Sequence, residues 1–384
     1  MKIVMCREIK TAFVLVLFCS ICTGVYAERS INTNGFLTAG FSQNDQEVSF
    51  TGVKDEINFT ELSVIGIQTS FVPNSSSIQL VSQLLARGRN GWNLDAEWAY
   101  IAYQPSTKVE LQAGRFRFPG FMISQYYDIG VSYPWITPPE ELYGFANIPI
   151  TAVNGLNTVG KIAAPPFDFI TQIYIAQTPE TDLPLIGQTF VLGEFRIGGI
   201  ILELIHPNIT VRASHHLVPK LTAELVNTLA AATGQTADFI RGLGIEDTTD
   251  GEVVFSSLGV DVSWYRIRFL AEWAHRHVFN SIFSSSQNWF ATIGYDFGRV
   301  FPHFTYSVAD AEDVAFFNQD QHTATLGVKI SMTDSVAVKF EYAFSELDER
   351  DNANGLFDSI PSSFGGPMVE DEINTISAAV NIVF

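Results

Sequence analysis

The chain has 384 residues, a formal net charge of −19, 47% hydrophobic residues and only three cysteines. So acidic a balance excludes a general nucleic-acid binder, and the cysteine count excludes a disulfide-held secreted module. No helix-length apolar run follows residue 27, so the hydrophobic content must be carried by short segments.

Residues 1–27 read as an export signal. Lys2, Arg7 and Lys10 make a basic start, residues 11–21 an apolar run, and Val25-Tyr26-Ala27 a small-residue cleavage site. The mature chain is expected to begin at Glu28. Cys6, Cys19 and Cys22 all fall within the signal, and its removal also takes Lys2, Arg7, Lys10 and Glu8, leaving 19 basic and 40 acidic residues. A cysteine-free chain of net charge −21 in an oxidising compartment must rely on backbone ladders and burial.

From residue 28 to 384 the chain reads as one unit dominated by period-two alternation, the pattern of half-exposed strands. Strands are expected over 35–42, 61–71, 78–87, 94–103 and 109–118. The alternation then stops over residues 119–147, where Pro119, Pro134, Pro138 and Pro139 combine with a run of aromatics. Strands resume over 151–163, 169–177, 190–205 and 209–218. In residues 219–251, Leu221, Leu225 and Leu229 recur every fourth position, which predicts a short amphipathic helix in an external loop or an inward plug. Paired strands follow over 253–264 with 267–278, 289–297 with 301–309, and 323–332 with 336–346.

Residues 373–384 form the last strand. Ile376, Ala378, Val380, Ile382 and Phe384 share one face, and Thr375, Ser377, Ala379 and Asn381 the other. The count is sixteen, with connections that alternate short and long. Faces separate by charge: Val338, Phe340, Tyr342 and Phe344 oppose Lys339, Glu341 and Ser345, and Ile267, Phe269, Ala271 and Trp273 oppose Arg268, Glu272 and Arg276. Backbone groups in lipid need partners, so strands with one apolar and one polar face predict a closed transmembrane barrel with a water-filled interior.

The final strand resembles the C-terminal signal strand of Gram-negative outer-membrane barrels, with Phe384 as the assembly signal. The whole layout resembles that of the sixteen-stranded porins. Ala86-Arg87-Gly88-Arg89, Glu97-Trp98-Ala99-Tyr100, Ala113-Gly114-Arg115-Phe116-Arg117 and Ser132-Tyr133-Pro134-Trp135, with Pro138-Pro139-Glu140, are similar to a block recurring in porin-like outer-membrane proteins. The acidic P-E-F-G-G motif of the enteric porins is absent, so residue roles do not transfer one for one. The resemblance implies an all-β, antiparallel up-and-down barrel in the outer membrane, in contact with lipopolysaccharide. It also implies a homotrimer, a third loop folded into the lumen, and passive diffusion of small hydrophilic solutes. The alternative is a substrate-selective channel with a binding site in the aromatic third loop. Neither reading implies a cofactor, and no arrangement of residues points to an enzyme.

In such a channel, residues 119–147 are the expected constriction. Tyr126, Tyr127, Tyr133 and Trp135 are candidate anchors against the wall, and Asp128, Glu140 and Glu141 supply negative charge. Arg87, Arg89, Arg115 and Arg117 are candidates for an opposing basic row that would set up a transverse field. The competing reading has Arg115 and Arg117 binding lipopolysaccharide phosphates or pairing locally with loop acids. His275 and His277, two apart on one strand, could form a metal pair, but the sequence shows no third convergent ligand and no metal site is assigned.

Overall fold

The computed structural model describes residues 30–384 except 74–75, 145–149, 186–187, 225, 227–229, 231–233, 243–247, 280–284, 313–319, 348–355 and 358–368. The expected export signal at 1–27 lies outside the described residues, as does the end of the third loop at 145–147.

The strands are β1 (Ser30–Asn44), β2 (Val64–Val72), β3 (Ile78–Arg87), β4 (Leu94–Ser106), β5 (Val109–Arg117), β6 (Ala152–Ala164), β7 (Phe167–Gln177), β8 (Thr181–Leu185) and β9 (Gln188–Leu192). They continue as β10 (Arg196–His206), β11 (Ile209–Glu224), β12 (Thr248–Trp264), β13 (Ile267–Val278), β14 (Ser286–Tyr295), β15 (Val300–Ala311), β16 (Gln321–Ser331), β17 (Val336–Leu347) and β18 (Glu372–Val383). Every pairing is antiparallel. β7 pairs directly with β10, so β8 and β9 form a hairpin that is not a member of the ring and whose one ladder pairing with it, among the described residues, is Leu192 opposite Ala223. The ring closes where β1 pairs β2 from Ser30↔Val72 to Thr38↔Val64 and β18 from Phe36↔Val383 to Asn44↔Thr375. It therefore has sixteen strands.

Alternation sorts the side chains as the sequence indicates. Ile175, Leu156, Leu326, Phe340 and Tyr342 point outward and are exposed, whereas Gln83, Thr292, Thr305 and Lys339 point inward and are buried. This is the reverse of a water-soluble sheet and the arrangement lipid requires. The interior is not uniformly wet. On the inner side of β5–β7 and β10–β11, Phe116, Val153, Tyr174, Ile201 and Val218 pack into an apolar cluster together with Phe118.

The helix expected within 219–251 starts later than Leu221: among the described residues, Val226 and Ala230 are helical. β11 and β12 extend through Glu224 and from Thr248, pairing from Leu221↔Gly251 to Glu224↔Thr248, so Leu221 belongs to a strand. After a first helical turn in the third loop, α1 (Glu140–Tyr143), a second short helix, α2, spans Ala237–Gly242. The ladder of two long neighbours outweighs a weak local period at Leu221. Leu225 and Leu229 lie outside the described residues.

Candidate functional site

The segment from Pro119 to Gly144 leaves β5 and runs inside the ring. Its prolines deny it a ladder, and it is built instead from tight turns: 3-10 turns at Ser124–Tyr126 and Gly130–Ser132, and the helical turn α1. Its polar backbone would be costly to bury unpaired, and inward-facing strand residues supply the partners.

Where the segment begins, Arg212 on β11 donates to the carbonyls of Pro119 and Gly120, and Ser214 and Ser257 also donate to Gly120, at 3.0 and 3.1 Å. Glu272 on β13 accepts the Met122 N–H at 2.8 Å and the Tyr143 hydroxyl. The chain then crosses to the opposite wall. Asp128 Oδ1 and Oδ2 accept Nε–H and Nη2–H of Arg87, each at 2.8 Å, and Oδ2 also accepts from Arg117. Arg117 and Arg87 both face Glu97, at 3.0 and 3.4 Å. All four side chains are at most 6% exposed. Burial alone disfavours the charged form of Asp128, but the two guanidiniums outweigh it and hold the carboxyl well below the usual carboxylate range.

Farther along, Lys339 on β17 donates to the carbonyls of Gly130, at 2.6 Å, and Trp135, and its ammonium lies 4.6 Å from the centre of the Tyr133 ring. The Trp135 indole N–H reaches the hydroxyls of Thr292 and Thr305, at 3.1 and 2.8 Å, and Glu341 accepts the Ile136 N–H at 2.8 Å. Glu141 accepts hydrogen bonds from Ser307 at 2.7 Å, Gln321 at 2.8 Å and Thr323, and its carbonyl accepts from Asn288. Phe121, Ile123, Tyr133, Trp135, Leu142 and Tyr143 pack with Phe255, Leu270 and Phe290 of the wall, and Tyr126 and Tyr127 pack against that cluster.

These positions revise the sequence reading of several residues. Arg87 and Arg117 do not face Asp128 across water; they bind it, and Glu97 completes a compact group of two cations and two anions. Arg115 is not part of it. It lies opposite Ala99 and Asn154, on the outward face shared with exposed Ile101 and Leu156. Gly114 precedes it with φ +132°, and a Cβ there would lie 2.3 Å from the Ala99 carbonyl oxygen, a backbone placement open only to glycine. Glu97 was not among the sequence candidates. A register shift opposite Gln83 and Leu84 leaves it as the extra residue of a β-bulge, which turns it inward beside Trp98. Glu272, Lys339 and Glu341, by contrast, were legible as inward-facing, but their loop partners were not.

Arg89 and Glu140 come together at the edge of the site. With Glu141, Glu341, Thr305 and Thr375 they line a cavity of about 130 Å³ between the segment and the wall. Arg89 also lies 6.0 Å from the Tyr127 ring. Phe384 lies at the seam, lining a cavity with Ile129 of the segment, and its N–H and carbonyl exchange hydrogen bonds with Gly35 at 3.0 and 2.7 Å.

No protein-family model and no curated protein sequence matches the chain. Solved structures do match its fold. The anion-selective porin from Comamonas acidovorans is similar at a TM-score of 0.60 and 11% identity, over 93% of this chain and all of that one. Salmonella typhi OmpF, solved in complex with daunomycin, gives 0.58 and 13%, over 92% of this chain and 97% of that one. The outer-membrane channel DcaP of Acinetobacter baumannii gives 0.57 and 11%, over 94% of this chain and all of that one. Such identities speak to architecture, and together with the closed ring and its lipid-compatible exterior they give one conclusion: the chain has the porin fold, a sixteen-stranded antiparallel barrel of the Gram-negative outer-membrane type.

Proposed function

We propose that the protein is an outer-membrane channel through which small hydrophilic solutes and ions diffuse passively, assembled as a homotrimer in contact with lipopolysaccharide. The observation that carries this reading is that the segment from Pro119 onward is tied to both walls: Asp128 to Arg87 and Arg117 on one side, Trp135, Glu141 and the Gly130 carbonyl to β14–β17 on the other. A segment so fixed sets the clear cross-section without closing and reopening. Arg89, Glu140 and Glu341 border what remains and contribute the charge a solute meets. Two proteins of similar structure, one an anion-selective porin and the other an outer-membrane channel, agree with such a role.

The substrate-selective alternative is less favoured: Trp135, Tyr133 and Tyr143 are 1%, 4% and 8% exposed and taken up in packing, which leaves the half-buried Tyr126 and Tyr127 as the loop aromatics open to a solute. Reconstitution into planar bilayers tests the proposal. Wild-type protein should conduct, and removing residues 123–132 should raise single-channel conductance, because the narrowest section dominates resistance. A folded, inserted chain that passes no current would overturn the channel reading.

A further inference from the structure

Outside the lumen, the structure assigns a transition-metal site to His275, His277 and Glu312. The sequence shows the two histidines without a third ligand; the fold supplies it, bringing one ligand atom from each of the three side chains within 4.8 Å of one another. His275 and His277 follow Trp273 on the outward face of β13, at the end where the long loops emerge. Glu312 comes just after β15 and is held there by its own N–H, which donates to the Ser285 carbonyl at 2.8 Å. The site therefore bridges β13 and β15 across β14.

Two features separate it from a chance surface cluster. The first is spacing. His275 Nε2 and Glu312 Oε2 are 3.2 Å apart, and two ligand atoms each about 2.1 Å from a tetrahedral zinc ion stand roughly 3.4 Å apart. The second is the surrounding hydrogen bonding. Gln287 donates to Glu312 Oε1 at 2.7 Å, leaving Oε2 turned toward His275. Ser285 Oγ, itself accepting the Val278 N–H, lies 3.2 Å from His277 Nδ1, a contact that fixes the ring and directs its other nitrogen outward. Ser285 is 1% exposed, so this support is rigid. Two imidazoles and one carboxylate suit zinc, copper or nickel over magnesium or calcium, and three protein ligands leave one coordination position open to solvent. The inference is independent of whether the barrel conducts.

The test is calorimetric titration of the folded, detergent-solubilised full chain with zinc chloride, in a large excess of magnesium to occupy the acidic loops. One zinc per chain is expected, with affinity falling at least tenfold in the His275→Ala/His277→Ala double variant and in Glu312→Gln. Cobalt in place of zinc should give the intense visible absorption of a four-coordinate ion, absent from the double variant. No zinc uptake, or uptake undiminished in the folded double variant, would overturn the site. Should that variant fail to fold, as judged by heat-modifiable electrophoretic mobility, the wild type decides alone. Zinc should then protect His275 and His277 from diethylpyrocarbonate, and equal labelling with and without zinc overturns the proposal.

Discussion

Asp128 and Arg87, 41 residues apart in sequence, meet through two parallel hydrogen bonds of 2.8 Å, so the middle of the luminal segment is fastened to the end of β3. The geometry is the bidentate one in which a planar guanidinium is most strongly held, and Glu97 and Arg117 complete its charge balance out of contact with water. Breaking one member of such a buried group costs about 3–5 kcal/mol, because its partners are left uncompensated. Asp128→Asn should therefore loosen the segment, giving higher and noisier single-channel conductance and faster proteolysis between residues 119 and 144. Arg87→Gln combined with Asp128→Asn should cost less than the sum of the two single changes. Additive effects would mean that the pair does not act as a unit.

The same pair fixes a pH expectation. Asp128 has its carboxyl lowered in the folded chain, so the stability it contributes is fully present above the unfolded value of about 3.9 and is lost only as pH falls through the lower folded value. Conductance should therefore show no step attributable to this anchor on acidification down to about pH 4. A step near that value or above it, abolished by Asp128→Asn, would contradict the arrangement. The buried pairing also predicts little change in anchoring with salt, unlike an exposed ion pair.

Selectivity should lie elsewhere than in the buried quartet. Arg89 and Glu140 border the cavity beside the segment, while Asp128, Arg87 and Arg117 are neutralised among themselves and with Glu97. Glu140→Gln should shift the reversal potential in a salt gradient toward anions and Arg89→Gln toward cations, both by a few millivolts and both shrinking at high salt. Arg115→Gln, on the outward face, should leave ion preference unchanged. A larger shift from Arg115→Gln than from Arg89→Gln would reverse this assignment.

What the sequence made legible and what it hid divide along physical lines. Period-two alternation reports which face a residue takes, and it placed Lys339, Glu272 and Glu341 inside and Phe340 and Trp273 outside. It fails where the ladder is irregular. The bulge that turns Glu97 inward gives no signal in the alternation, and Arg115 and Arg117 share one phase of β5 although only Arg117, the last residue of the strand, turns to Asp128. The loop contacts were hidden for another reason. Trp135 finds Thr292 and Thr305 more than 150 residues away, a pairing set by ring closure and not by any local signal. Glu312 beside His275 is the same case, brought there by two successive hairpins.

The seam of the barrel yields the last prediction. Phe384 exchanges both backbone hydrogen bonds with Gly35, and its ring covers that glycine so closely that a Cβ at Gly35 would lie 2.3 Å from Cζ. β18 joins β17, its neighbour in sequence, and β1, the far end of the described chain, so the Gly35 contact is where the two ends of the ring meet. Backbone groups left unpaired there would face lipid, each at a cost of several kcal/mol. Deleting Phe384 should therefore reduce the heat-modifiable, membrane-inserted fraction severalfold, whereas Phe340→Ala, which removes an outward ring in mid-strand and leaves the ladder intact, should reduce it far less. Gly35→Val should fall between them, since the new side chain displaces the ring and leaves the two backbone bonds available. Insertion of the Phe384 deletion at the wild-type level would show that closure does not depend on the terminal residue, and an equal loss in Phe340→Ala would show that apolar area, not the seam, limits assembly.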